Sequence, residues 1–355
     1  MNKLLVVGGG TAGHVIPALP VIEHCLADGW QATFVGTYSG LEEGLVKHLP
    51  IKFRAIQSGK LRRYWSWQNF TDVLRILMAI LQALGLMLRN RPDVVFSKGG
   101  FVAFPVVFAA WLLRVPVVAH ESDLSPGLAN RLCAPFIRTL CVSFAATVEA
   151  VSNPKRVVHT GTPVRQELLQ GDAARGREAL RLDEDGPPLL VITGGSLGAE
   201  NLNRVVLEAA PELAQDFRVF HVCGAGKTTE VSIPGYEQVE YVDAGWGDIL
   251  AAADAVVSRA GANALFELLA LRKLNLLVPL TAQVSRGDQL ENAEFARAAG
   301  LSMVVQEADL TVQSLQQALT ELRSQAPTMR AALEGFETPD AARAIADELF
   351  TITAT

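Results

Sequence analysis

Cysteine is scarce in this chain: Cys25, Cys133, Cys141 and Cys223 are the four in 355 residues, and no two form a C-x-x-C pair. That count and spacing exclude a disulfide framework and a zinc knuckle, and they point to a reducing compartment. Only four apolar residues follow Lys3 before the glycines begin, too few for the apolar region of a signal peptide, so the chain is expected not to be exported. The apolar run Ile76 to Leu88 is shorter than the ~20 residues of a membrane-crossing helix and is flanked by charge. A nucleophile elbow is absent, and Gly224-Ala225-Gly226-Lys227-Thr228 ends like a phosphate-binding P-loop without its leading glycine.

What the chain does have is two similar openings. Leu4 to Val7 runs into Gly8-Gly9-Gly10-Thr11-Ala12-Gly13-His14, and Leu189 to Thr193 runs into Gly194-Gly195-Ser196-Leu197-Gly198. An apolar strand breaking into glycines ahead of a helix lets backbone N–H groups approach a phosphate. Two such openings, with 50% hydrophobic content, imply two nucleotide-fold halves with a cleft between them.

The net charge of −6 hides an asymmetry: residues 1–165 carry 17 Lys and Arg against 9 Asp and Glu, and the remainder is acidic. Lys52, Arg54, Lys60, Arg62, Arg63, Arg75, Arg89 and Arg91 face only Asp72 across one stretch, which also holds Trp65, Trp67 and the Ile76 to Leu88 run. A buried helix with solvated flanks is the plain reading. Tryptophans beside basic residues favour a face lying on an anionic membrane, with Arg62, Arg63, Trp65, Trp67 and Arg75 in contact. A nucleic-acid partner fits poorly with so much apolar content.

Short β-rich runs alternate with helical patterns: Lys3 to Val7, Ala32 to Val35, Lys52 to Ile56, Asp93 to Ser97, Pro116 to Ala119, Thr139 to Val142 and Arg156 to His159, then six more from Leu189 to Val305. That rhythm predicts an α/β architecture of two Rossmann-like domains with parallel sheets. The expected domains are residues 1–162 and 163–337, hinged near Pro163. A closing helix over 338–355 carries an apolar stripe expected to pack back on the first domain.

Gly8-x-Gly10-x-x-Gly13 matches the dinucleotide fingerprint, yet no acidic residue ends the second strand at Phe34-Val35-Gly36-Thr37; Glu42 and Glu43 come later. NAD is therefore disfavoured. Ser258-Arg259-Ala260-Gly261-Ala262-Asn263 ends a strand and opens a helix, and Glu267 shares a face with Asn263 at i, i+4. A carboxylate among apolar neighbours suits a ribose diol, which donates two hydrogen bonds, while the helix start suits a diphosphate. Ser285 to Asn292 is a polar helix start whose Asp288 and Gln289 suit sugar hydroxyls. His14 sits at a helix start, where the dipole favours the neutral, basic imidazole, and is a candidate general base. Ser97-Lys98-Gly99-Gly100-Phe101 and His120-Glu121-Ser122-Asp123 end further strands at the same sheet edge, where α/β folds bind ligands.

Taken together, Gly9 to Pro17, Gly99-Gly100-Phe101-Val102, His120-Glu121, Gly194 to Ala199, Ser258 to Gly261 and Ser285 to Gln289 resemble the MurG family of peptidoglycan N-acetylglucosaminyltransferases, which convert lipid I to lipid II. The resemblance implies a GT-B fold, an inverting transfer of GlcNAc from UDP-GlcNAc to the MurNAc 4-hydroxyl, and no cofactor. It places acceptor lipid mostly in the N-terminal half and donor mostly in the C-terminal half. Carried onto this sequence, donor contacts fall to Thr11, Gly13, Arg165, Ser196, Arg259, Gly261, Asn263, Glu267, Asp288, Gln289 and Asn292. Acceptor contacts fall to Gly10, Gly99, Gly100 and His120, with His14 as base and Glu121 next in line. Ala12, Phe101 and Asp123 depart from the family's glycine, tyrosine and amide; no required hydroxyl donor can stand at Phe101. No D-x-D motif lies near the donor site, so backbone N–H groups, Ser196 and Arg259 would take a metal's place. Implied partners are lipid I, the anionic cytoplasmic membrane face, where the chain would sit peripherally, and other cell-wall synthesis proteins. The alternative is a GT-B transferase for another membrane lipid.

Overall fold

The computed structural model describes residues 1–57, 59, 68–151, 154–195, 199–242, 244–283 and 285–354. It divides into two compact units, Met1–Arg165 with Pro339–Thr355 and Gln166–Thr338, so the first boundary falls just beyond the expected hinge at Pro163.

Unit 1 holds β1 (Lys3–Val7), β2 (Gln31–Thr37), β3 (Lys52–Ile56), β4 (Val94–Ser97), β5 (Val117–Glu121), β6 (Thr139–Val142) and β7 (Arg156–His159). They form one parallel sheet in the order β3-β2-β1-β4-β5-β6-β7. Such strands read as unbroken apolar runs because both faces are covered. Leu4 and Val6 point to one face, against α2 (Ala18–Ala27) and the closing helix Ala341–Ala354. Leu5 and Val7 point to the other, against Ala79, Ala83 and Met87 of α4 (Gln68–Asn90) and Val106 and Val107 of α5 (Ala103–Leu112). Two short helices complete the run, α1 (Ala12–Val15) ahead of α2 and α3 (Glu42–Val46) between α2 and α4. Ile345, Leu349 and Ile352 are the buried stripe of the closing helix, and the Phe350 ring lies 4.9 Å from that of Trp30.

Unit 2 repeats the plan with β8 (Leu189–Thr193), β9 (Arg218–Val222), β10 (Tyr236–Val239), β11 (Ala255–Ser258), β12 (Asn275–Leu277) and β13 (Met303–Val304), parallel in the order β10-β9-β8-β11-β12-β13. β10 begins at Tyr236, which pairs with Val219 and buries its ring.

In each sheet the first strand is followed on one side by the second and on the other by a strand from later in the chain. Unit 1 switches direction between β1 and β4, unit 2 between β8 and β11. Loops leaving the strand ends diverge there and leave a crevice.

Helix α4 answers the question posed by the Ile76 to Leu88 run, because it carries two apolar stripes. Ala79, Ala83 and Met87 face the core, while Val73, Leu74, Leu77, Met78, Leu81 and Leu88 are exposed on the opposite side. None of the described helices is long and apolar enough to cross a membrane. Arg75 pairs with the buried Asp72 at 3.3 Å, so one of the expected membrane-facing charges is partly neutralised within its own helix. Arg62, Arg63, Trp65 and Trp67 lie outside the described residues.

Candidate active site

At the switch point of unit 1, the loop after β1 and the loop after β4 meet backbone to backbone. The Lys98 N–H donates to the Val7 carbonyl at 2.8 Å, and a side chain on Gly100 would strike the Gly9 carbonyl. Gly10, at φ +95°, is roofed by the Phe101 ring, which leaves no space for a Cβ. Thr11 precedes α1, and its Oγ1 lies 2.9 Å from His14 Nδ1, with the imidazole edge against Gly99. Gly10, Thr11, His14, Gly99 and Gly100 therefore meet at this loop junction, with Gly13 inside α1. The dipole argument for His14 fails, because α1 is a single turn of four residues. The Thr11 hydroxyl fixes the ring instead.

His120 and Glu121 behave differently from the expectation. His120 is fully buried, and its Nε2 meets the Gly161 carbonyl at 2.9 Å, so the imidazole ties β5 to the turn after β7 and does not face an acceptor. The Glu121 carboxylate takes N–H donors from Asp123 (3.1 Å), Gly127 (2.8 Å) and Asn130 (2.9 Å). Burial and the Asp123 carboxylate push its pKa up, and these donors oppose the rise. With its oxygens committed to local donors, Glu121 holds the loop and is a poor second base. Beside it, buried Lys98 donates to Ser122 Oγ. Burial lowers its pKa to about 8, against the pull of Glu121 and Asp123.

Burial, and after it the Lys98 ammonium, hold the His120 pKa well below 6.5, with the Gly161 carbonyl opposing. The unfolded chain takes up that proton near pH 6.5 and the folded one does not, so this stability is complete above pH 6.5 and is lost as pH falls below it. Urea unfolding at pH 7.5, 6.5 and 5.5 is expected to show a falling midpoint. His120→Gln keeps an N–H donor for Gly161 without the titration, and it should flatten the decline. An equal decline in both proteins would assign it to other groups.

In unit 2, Gly261 caps the helix Ala262–Ala270 with no side-chain partner at its start. Ala262, Leu265, Phe266, Leu268 and Leu269 are buried, so Asn263 and Glu267 fall on the partly buried stripe between them and solvent. The carboxylate is thus less buried than its apolar neighbours implied. Gln289 accepts the Leu280 N–H at 3.0 Å and turns its Nε2 toward Gly261. Asp288 sits 3.5 Å from the Arg286 guanidinium. Gly195, at φ +80°, begins the loop after β8; Ser196 lies outside the described residues. Arg165 is the last residue of unit 1 before the boundary.

Two donor-side expectations need correction. The Arg259 guanidinium, 6% exposed, donates through Nη1 to the Val278 carbonyl at 3.0 Å and through Nη2 to Glu307, so both terminal nitrogens are engaged inside the unit and are poorly placed to take a metal's place at a diphosphate. Asn292 is fully buried and donates to the Ala260 carbonyl at 3.2 Å, bracing the turn before Gly261 where a sugar contact was expected. Among the described residues, no three His, Cys, Asp or Glu side chains are grouped to hold a metal ion.

Sequence reasoning also missed Glu42. It stands too far along the chain for a ribose ligand, yet it folds back on the first glycine loop and accepts the Gly10 N–H at 3.0 Å. Its signal was the glycines at 36 and 40 flanking a carboxylate at a helix start.

The glycosyltransferase family 28 N-terminal domain matches residues 4–142, and the glycosyltransferase family 28 C-terminal domain matches residues 189–345. A protein of Legionella pneumophila (strain Lens), named UDP-N-acetylglucosamine--N-acetylmuramyl-(pentapeptide) pyrophosphoryl-undecaprenol N-acetylglucosamine transferase, is 46% identical over 320 residues, 88% of each chain. A protein of the same name from Clostridium kluyveri is 46% identical over 324 residues, 91% of each. The crystal structure of Acinetobacter baumannii MurG superposes with a TM-score of 0.77 at 26% identity, covering 99% of this chain and 100% of that one.

Proposed function

Since the chain belongs to glycosyltransferase family 28, in the branch of the peptidoglycan N-acetylglucosaminyltransferases, we propose that its two switch points divide one reaction between them. The chain is a UDP-GlcNAc-dependent glycosyltransferase with two Rossmann-like domains of the GT-B type, and the reaction is transfer of GlcNAc to lipid I, giving lipid II and UDP. The observation that carries the division is the contrast between the switch points: unit 2 presents an uncapped helix start with Asn263 and Glu267 one turn apart, and unit 1 presents a histidine held by a hydroxyl.

UDP-GlcNAc sits in unit 2. Its ribose diol donates to Glu267, its diphosphate meets the helix start at Gly261, and Gln289 and Asp288 read the sugar. The MurNAc 4-hydroxyl is a weak nucleophile. With Nδ1–H donating to Thr11 Oγ1, His14 Nε2 carries the lone pair that takes the hydroxyl proton as O4 attacks C1. The C1–O bond to the diphosphate breaks with inversion, UDP leaves with the electron pair, and backbone N–H groups stabilise the charge that gathers there. The exposed stripe of α4 lies on the anionic cytoplasmic face of the membrane and brings unit 1 to its lipid-linked acceptor.

The reading is tested by UDP release with a lipid I analogue. Release that depends on this acceptor supports it; equal release with a diacylglycerol acceptor overturns it. Glu267→Ala is expected to lower kcat/KM for UDP-GlcNAc about 10- to 150-fold, because a hydrogen bond to a charged group contributes ~1.5–3 kcal/mol. The loss should appear in kcat/KM per folded molecule, with folding checked by the melting temperature. Wild-type kcat/KM in this variant would remove the ribose assignment.

A further inference from the structure

Glu42 is a fully buried carboxylate with an unusual setting. Its Oε1 accepts the Gly10 N–H at 3.0 Å, and the Thr37 hydroxyl lies 3.2 Å from Oε2 and 3.4 Å from Oε1. Three glycines from separate places in the fold make room for it. A Cβ on Gly9 would come within 2.6 Å of Oε1, one on Gly36 within 2.9 Å of the Glu42 Cβ, and one on Gly40 would overlap the carboxylate itself. Burying a carboxylate is costly, and an apolar side chain would fill the same space without that cost. The arrangement therefore calls for a role that an apolar residue cannot fill.

The role follows from what the carboxylate holds. In a glycine loop that receives a phosphate, backbone N–H groups point outward to the ligand. Here the Gly10 N–H points inward to an anion the protein supplies itself. Gly10 is thereby pinned from below by Glu42 and from above by the Phe101 ring. The next residue is Thr11, whose Oγ1 is 2.9 Å from His14 Nδ1. We infer that Glu42 is a positioning residue for the transfer reaction: by fixing Gly10 it fixes Thr11, and through Thr11 the imidazole of His14. The inference rests on the reading of His14 as the proton acceptor.

The test uses the full chain and four variants: Glu42→Asp, Glu42→Gln, His14→Ala and the Glu42→Asp/His14→Ala double variant. Glu42→Asp keeps the charge but is one methylene short of Gly10. It is expected to lower kcat about 10- to 100-fold, the scale on which small misplacements of a reacting group act. KM for UDP-GlcNAc should stay within about twofold, since the donor is assigned to unit 2. Glu42→Gln keeps an acceptor oxygen at full reach and should retain most of kcat. In the His14→Ala background, Glu42→Asp should cost little more, because two residues acting through one group do not multiply their losses.

A role in folding alone would lower the melting temperature of Glu42→Asp while leaving kcat per folded molecule intact, or would multiply with His14→Ala. Either result overturns the inference while the His14 reading stands. Near-normal kcat in His14→Ala removes that reading and this inference with it. Should Glu42→Asp fail to fold, Thr37→Val, which removes the second donor to the carboxylate, is measured in its place with the same expected split.

Discussion

His14→Ala is expected to lower kcat by about 10² to 10⁴, the range for a positioned general base, while UDP affinity measured by calorimetry changes little. The size follows from the chemistry at O4. A secondary hydroxyl reaches the anomeric carbon with useful charge only if its proton leaves during attack, and the geometry offers few acceptors. Glu121 has its oxygens occupied by N–H donors, His120 is buried against Gly161, and the Glu42 carboxylate is sealed behind the glycine loop. His14 is held at the loop junction by Thr11, with its ring edge at Gly99. Thr11→Val should therefore reproduce part of the loss, since it removes the oxygen that accepts from Nδ1–H and sets which nitrogen carries the lone pair. The pH–rate profile separates the outcomes. Loss of the proton acceptor should give His14→Ala a pH–rate profile of a different shape from the wild type's. A variant with normal kcat and an unchanged profile would hand the base to another group.

The fold was legible because parallel strands covered on both faces are written as short apolar runs, and each of the thirteen expected runs overlaps a strand. The glycine loops were legible for a similar reason. A positive φ at Gly10 and the close approach of Gly100 to Gly9 leave a mark in the sequence that does not depend on distant residues. What the sequence obscured was the direction in which polar side chains turn. Arg259 and Asn292 stand beside the right loop, but whether they face a ligand or the protein depends on Glu307, Val278 and Ala260, far away or on another element. His120 was misread for the same reason, its partner Gly161 lying 41 residues on. Glu42 was passed over because the ribose rule asks where a carboxylate falls along the chain, and its function is set by the glycines that surround it in space.

The exposed stripe of α4 gives the other large expected effect. Leu74, Leu77, Leu81 and Leu88 are each about half exposed or more, and water contact for four leucines on one helix face is costly unless something covers them. The proposed contact with an anionic membrane would cover them and also attract Lys60, Arg62, Arg63, Arg75 and Arg89 from the same stretch, at ~1 kcal/mol for each basic residue near the surface. The two contributions separate with salt. Changing Leu74, Leu77 and Leu81 to Ser removes an apolar term that salt does not screen, on the order of 1 kcal/mol per residue at an interface, and liposome partitioning should fall by roughly 10²-fold at every ionic strength. Neutralising Lys60, Arg62, Arg63 and Arg75 together should remove up to ~4 kcal/mol at low salt and much less at high salt. The core stripe of Ala79, Ala83 and Met87 is untouched in the serine set, so its melting temperature should hold, whereas neutralising Arg75 also removes the partner of buried Asp72 and should lower that of the charge set somewhat. Both variants should still glycosylate a short-chain, water-soluble acceptor while losing activity on acceptor embedded in vesicles. Equal sedimentation of wild type and both variants with anionic liposomes would return α4 to a helix that serves only the core.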